Sequence, residues 1–438
     1  MDRRTFLQLT GATGVLVGLG GVGLTAGPAG AATAVPGPGR FGPLQAADAN
    51  GIMLPAGFTS RLVAQAGVAV GPRGYTWHTD PDGGAVFPQP DGGWVYASNQ
   101  ESAPGGASAL RFDAGGQIVD AYRILSGTIA NCAGGPTPWG TWLSCEEHGL
   151  GRVWECRVDR AGTGTARGAL GSFSHEAAAV DPDGHAVYLT EDKPDGRFRR
   201  FTPKTWRADG TNVLKTGTLE FMVVQGNPAT GDGPWPVTWA KQPLLGAKPG
   251  TPFNGGEGCW YDEGRVFFTT KGDNRIWALE VATQQLHLLY DANRLGADAP
   301  LRGVDNITVS PFDDIYVAED GGNMEIVVLS DISSQLQVTP FLRVLGQDGS
   351  ELTGPAFTPD GSRLYFSSQR GPGAGTGAGI TYEVRGPFNG GPSGAPAAGG
   401  GLVSGLIHDV VEPPVRGVAP PAGDLVHAVD RTIAGPGL

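Results

Sequence analysis

Carboxylates recur at both ends of short strand–turn–strand patterns in the middle of the chain. The segments are His175-Glu176 with Glu191-Asp192, Glu257 with Asp273, and Asp305-Asn306 with Glu319-Asp320. Between the members of each pair lie two alternating apolar runs and a turn built on Asp183-Gly184, Glu263-Gly264 or Asp313-Asp314. In an antiparallel hairpin the start of the first strand lies beside the end of the second, so each unit delivers its acids to one edge. Units set around an axis would bring Glu101, Glu146, Glu147, Glu176, Asp192, Glu257, Asp305 and Asp320 together at one mouth. Like charges raise one another's pKa, and bound cations relieve that conflict; oxygen-rich shells suit Ca²⁺. The pattern predicts a multi-metal site in a metalloenzyme.

One softer donor enters the same region. Cys132, in Asn131-Cys132-Ala133-Gly134-Gly135-Pro136, stands at the entry to an inner strand. A thiolate among hard oxygens selects a transition metal such as iron, whereas an inert buried cysteine is the plainer alternative. The seven histidines show no H-x-H or H-E-x-x-H spacing, which argues against a zinc hydrolase. His175 beside Glu176 and His78 near a strand start could support the ligands from behind, with ordinary packing or surface histidines as the plainer reading. No nucleophile elbow or Walker loop stands in a convincing setting, and Gly18-Leu19-Gly20-Gly21-Val22-Gly23 falls in an export signal.

The elements that must position these groups are short strands. The chain has 438 residues with 73 Gly and 35 Pro, a turn-rich composition. Six strand–turn–strand units follow one another, returning through Trp94-Val95-Tyr96, Trp142-Leu143, Val187-Tyr188-Leu189, Val266-Phe267-Phe268, Ile315-Tyr316-Val317 and Leu364-Tyr365-Phe366. The second of these turns to Arg152–Val158. The expected fold is all-β, a six-bladed β-propeller over 51–385, with a β-sandwich or several small β domains as the alternative. The long interval between Asp192 and Glu257 predicts an inserted excursion, a lid over one face. Residues 35–50 read as a linker, and 386–438 as a Gly/Pro/Ala-rich tail.

The N-terminus carries an address. Arg3-Arg4-Thr5-Phe6-Leu7 is a twin-arginine pattern, followed by a weakly apolar Gly-rich stretch and small-residue cleavage options, so residues 1–34 read as a signal peptide. This predicts export to the periplasm or beyond through the twin-arginine machinery, without stable membrane insertion. Formal net charge is −12, near −13 once Asp2, Arg3 and Arg4 are removed, so nucleic acid is an unfavourable partner. A monomer is expected. Among Cys132, Cys145, Cys156 and Cys259, export permits disulfides, and Cys145 with Cys156 is the pairing a local turn would favour.

The stretch Asn131–Glu147, together with Phe173-Ser174-His175-Glu176, Glu191-Asp192, Asp305-Asn306, Glu319-Asp320-Gly321, Glu351-Leu352-Thr353-Gly354-Pro355 and Ser368-Gln369-Arg370-Gly371, resembles the PhoX alkaline phosphatase family. The resemblance spans roughly Gly51 to Val384 and marks the chain as a short variant. It implies a six-bladed propeller with iron and calcium at the channel mouth, hydrolysing phosphomonoesters outside the cytoplasm. Carried over, Cys132, Glu176 and Glu257 would be iron-associated catalytic ligands. Glu146, Glu147, Asp192, Asp305 and Asp320 would supply oxygens to iron or calcium. The chain departs from the family pattern at Gly255, where a phosphate-gripping Arg is expected, and at Gln100, where a His is expected. Arg302, Arg370 and Lys271 are candidates to replace that Arg by position. Two rivals accompany this reading: a calcium-dependent lactonase or esterase, which would not need Cys132, and a binding propeller in which metals only stiffen the fold.

Overall fold

The computed structural model describes residues 33–390, apart from 232, 243–247, 333–334 and 374–376. The alternating runs fold as antiparallel strands, and the described structure is all-β apart from short helical turns and the four-residue helix Ala292–Leu295. Each hairpin begins with an innermost strand: Pro81–Pro88, Asn131–Pro136, His175–Asp181, Gly256–Asp262, Val304–Val309 and Leu352–Phe357. These strands touch in chain order, and the last returns to the first, so the sheets radiate from one axis in a propeller-like arrangement.

Side-chain alternation closes the gaps between neighbouring sheets. Val187 and Leu189 face the sheet before theirs, packing with Leu143 and Val153, while Tyr188 between them faces the sheet after, packing with Phe268. The same division separates Ile315 and Val317 from Tyr316. A buried apolar cluster fills each junction around the ring. At the last junction the chain ends meet: Thr59–Gln65 pairs antiparallel with Ile380–Arg385 and completes that sheet.

Three expectations need correction. The interval between Asp192 and Glu257 is no lid. Arg199–Pro203 and Gly217–Val224 extend their own sheet, and Trp235–Lys241 joins it to Gln285–Asp291, merging two strand groups into nine strands. Residues 35–50 are no free linker, because Val35-Pro36 pairs with Gln337-Val338 and Phe41 is buried against Phe58 and Phe341. All four cysteines are free and buried. Strand register sets Cys145 opposite Val153 and Cys156 opposite Trp142, so the two thiols lie in different apolar clusters. The expected signal peptide (1–34, of which only 33 and 34 are described) and most of the expected tail lie outside the described residues.

Candidate metal centre

One backbone irregularity repeats in every innermost strand. Pro81 pairs with Gln100, Asn131 with Glu146, His175 with Glu191, Gly256 with Thr270, Val304 with Glu319 and Leu352 with Ser368. In each hairpin the register then slips by one residue. A β-bulge re-aims a side chain by breaking the alternation. The residue just after each of these pairing positions is Asp82, Cys132, Glu176, Glu257, Asp305 and Thr353. The residue just after each partner is Glu101, Glu147, Asp192, Lys271, Asp320 and Gln369. Equivalent positions of successive hairpins therefore supply two concentric rings of polar side chains.

The rings converge. Asp82, Glu101 and Cys132 bring three donor atoms within 4.8 Å of one another; so do Cys132, Glu147 and Glu176; so do Glu176, Glu257 and Asp305; so do Asp305, Asp320 and Glu351. Shared residues link the four groups into one centre. Cys132 Sγ lies 3.1 Å from Glu176 Oε1 and 3.7 Å from Asp82 Oδ2. Gln369 Nε2 donates to Asp82 Oδ2 and to Glu101 Oε2, each at 2.6 Å. Lys271 Nζ lies 2.9 Å from Glu257 Oε1 and 3.1 Å from Asp320 Oδ2, and Arg370 Nη2 lies 2.7 Å from Glu351 Oε1. Asp192 interacts with Glu147 and stands outside the three-donor groups.

The backbone of this centre is held by the neighbouring hairpin. Asn99 Nδ2 donates to the carbonyls of Cys132 and Ala133, while its own Oδ1 accepts from Trp142 and Ser144. Thr190 and Thr269, at the matching positions of later hairpins, donate to the carbonyls of Glu257 and Asp305. Close approach of the inner strands needs small residues below the rings. A Cβ on Gly83 would meet Ala133 Cα at 2.5 Å, and one on Gly258 would meet Ile307 N at 2.6 Å.

Nine carboxylates and one thiol here face two cationic side chains, Lys271 and Arg370. Burial first, then mutual repulsion, drives the acids toward the protonated form: Asp82, Glu176 and Glu257 rise well above the usual range. Glu147 is pushed up to about 8 and Glu351 to about 9 by burial and neighbouring acids; Asp305 reaches about 7 against the opposing pull of Lys271. Burial likewise raises the Cys132 thiol. Such a donor set fits metal ions: hard oxygens beside a single sulfur, too many acids for the cations present.

Two predicted site residues lie elsewhere. Glu146 precedes Glu147, so strand alternation points it away from the axis. Its carboxylate accepts from Ile129 N, Arg152 N and Trp154 Nε1. Arg302 is exposed, with its guanidinium on the Gly296 carbonyl. The other predicted positions, Glu101, Cys132, Glu147, Glu176, Asp192, Glu257, Asp305, Asp320, Lys271 and Arg370, are gathered at this mouth. Sequence reading missed Asp82 and Glu351 as donors. The signal for Asp82 was its place before Gly83-Gly84, which parallels Cys132 in Cys132-Ala133-Gly134-Gly135.

Comparison with known proteins gives a family match and neighbours in fold. The sequence matches the family described as "Alkaline phosphatase PhoX" over residues 96–166 and 148–284. The fold is similar to that of Pseudomonas fluorescens PhoX in complex with vanadate, a transition state analogue. The TM-score is 0.66 at 16% identity, covering 80% of this chain and 98% of that one. A gluconolactonase of Xanthomonas campestris aligns more loosely, with TM-score 0.42 and 13% identity over 79% of this chain and 98% of that one. Comparison with curated proteins finds no significant match.

Proposed function

From the chain's place in the PhoX-type alkaline phosphatase family, we propose that it is a metal-dependent phosphomonoesterase on a six-bladed propeller. The observation that carries the activity is Cys132 set among Asp82, Glu101, Glu147 and Glu176, one sulfur shared by two oxygen-rich groups. The blade count rests on the six bulged hairpins and the six apolar junctions. Iron beside Cys132 and calcium among the remaining carboxylates is the assignment this donor chemistry favours. A calcium-only lactonase or esterase has no use for that sulfur, so its position favours the phosphatase.

Residues Asp82, Glu101, Cys132, Glu147, Glu176, Glu257, Asp305, Asp320 and Glu351 would hold the ions. Bound metals supply Lewis acidity toward a phosphoryl oxygen and lower the pKa of a coordinated water. The chain's own cations act alongside them. Gly255 adopts φ 68°, a left-handed conformation that strains a side chain, and a Cβ there would meet Asp192 Oδ1 at 3.2 Å. An Arg is thus poorly accommodated at that position. Lys271, whose N–H donates to the Gly255 carbonyl, and Arg370 bring positive charge to the mouth from neighbouring positions. Arg370 is the better phosphate ligand, since a planar guanidinium can offer paired donors.

Among the described residues no helix is long and apolar enough to cross a membrane. Export rests on Arg3-Arg4, and replacing both by Lys should retain the protein in the cytoplasm. The central test is elemental analysis of exported protein coupled to p-nitrophenyl phosphate hydrolysis. Iron with calcium, and turnover lost in Cys132→Ala and Glu257→Gln, is the expected result. Folded, metal-loaded protein without turnover on phosphomonoesters would favour the binding-propeller reading.

A further inference from the structure

Two successive junctions between hairpins share one donor pattern. There the three-donor group takes the bulge residue of one hairpin, the residue closing that hairpin, and the bulge residue of the next. Asp82, Glu101 and Cys132 follow this pattern, and so do Cys132, Glu147 and Glu176. At the next junction the donor group is Glu176, Glu257 and Asp305, without Asp192; one hairpin further on, the equivalent positions are Glu257, Lys271 and Asp305. There the closing position, a carboxylate in the hairpins ending at Glu101, Glu147, Asp192 and Asp320, is a lysine. Its ammonium already touches Glu257 Oε1 and Asp320 Oδ2 at 2.9 and 3.1 Å. At those ion-pair distances the ammonium charge offsets both carboxylates. A divalent ion beside the same oxygens would meet a fixed positive charge.

We propose that the Lys271 ammonium replaces a metal ion at the junction of the Glu257 and Asp305 strands, so the chain binds one cation fewer than its acidic ring would otherwise take. This rests on the metal reading above and assigns Lys271 as a positioning residue. It holds Glu257, which is shared with the Glu176–Asp305 group, at the spacing bound metal requires. The Lys271 side chain is 32% exposed and reaches the acids from the rim, as a replaceable charge would.

The test compares wild type with Lys271→Glu, Lys271→Arg and Lys271→Met, all loaded by dialysis against iron and calcium salts, desalted, and counted by mass spectrometry. The expected result is one additional calcium per chain in Lys271→Glu and an unchanged count in Lys271→Arg. An unchanged count in a folded Lys271→Glu protein overturns the proposal. A second arm needs no metal. In excess chelator at pH 8, Lys271→Met should melt below wild type and Lys271→Arg close to it. Equal melting of Lys271→Met and wild type in chelator also overturns the proposal. A wild type that takes up no metal refutes the phosphatase reading instead, and the chelator arm then decides the role of Lys271.

Discussion

Cys132 and the Glu146-Glu147 pair show how little separates a metal donor from a structural acid. Glu146 is 7% exposed and satisfies two backbone N–H groups and an indole; Glu147 turns to the axis beside Cys132. Glu146→Gln should therefore lower stability by about 1–3 kcal/mol, since a buried donor is left unsatisfied. Its metal content should stay at wild-type level. Glu147→Gln should do the reverse, losing metal and activity with little change in the melting of chelated protein. Calorimetry and elemental analysis of the pair would check both halves. Adjacent acids are indistinguishable in a sequence until the register is known. This is why the acids at the mouth were legible while Glu146 was misplaced. Arg302 failed for a related reason, because chain proximity to Asp305 does not state which way a side chain points.

The hairpin is the unit that makes this centre, and its repeated bulge does the aiming. Turn pairs and alternating runs made the hairpins readable, and hence the all-β class. The bulge left no mark in composition, because Pro81, Asn131, His175, Gly256, Val304 and Leu352 share no residue type. The strand 235–241 was misread because a half-exposed strand that joins two strand groups looks, residue by residue, like a loop insertion. Close inner packing gives a test at this scale. Gly258→Ala places a methyl 2.6 Å from Ile307 N, backbone that cannot rotate aside. The expected cost is about 1–3 kcal/mol of overpacking. Metal affinity should fall too, since Gly258 follows Glu257 directly. Thermal melting with and without chelator would measure each part, and a variant as stable and metal-rich as wild type would contradict the close-packed axis. Thr190→Val should lower metal retention by a similar route, freeing the Glu257 carbonyl while leaving every donor in place.

At the scale of the whole molecule, acid repulsion at the mouth opposes the forces that close the ring. Closure is secured where Thr59–Gln65 meets Ile380–Arg385. There buried Glu383 accepts from Arg61 and Arg363 at 2.8 and 2.9 Å, from Tyr365 at 2.6 Å, and from Arg385. These hydrogen bonds hold the Glu383 carboxyl below its usual range despite burial, so its contribution is present at neutral pH and lost as the solution turns acid through that lowered value. The mouth has the opposite sign. With metal removed, Asp305, Glu147 and Glu351 hold protons up to about 7, 8 and 9, whereas the unfolded chain releases them near 4. The folded state then binds more protons than the unfolded one, so stability falls as pH rises between those limits. Metal binding reverses this trend, because cations favour the ionised form and compete with protons. The melting temperature of chelated protein should therefore drop steadily from pH 5 to pH 9, while that of loaded protein changes far less. The gap between them should be widest at alkaline pH, where ionised donors hold metal best. Calorimetry across that range, with chelator and with metal, measures the gap directly. A chelated protein whose melting is flat over the interval would mean that the mouth acids are not compressed together as the rings require.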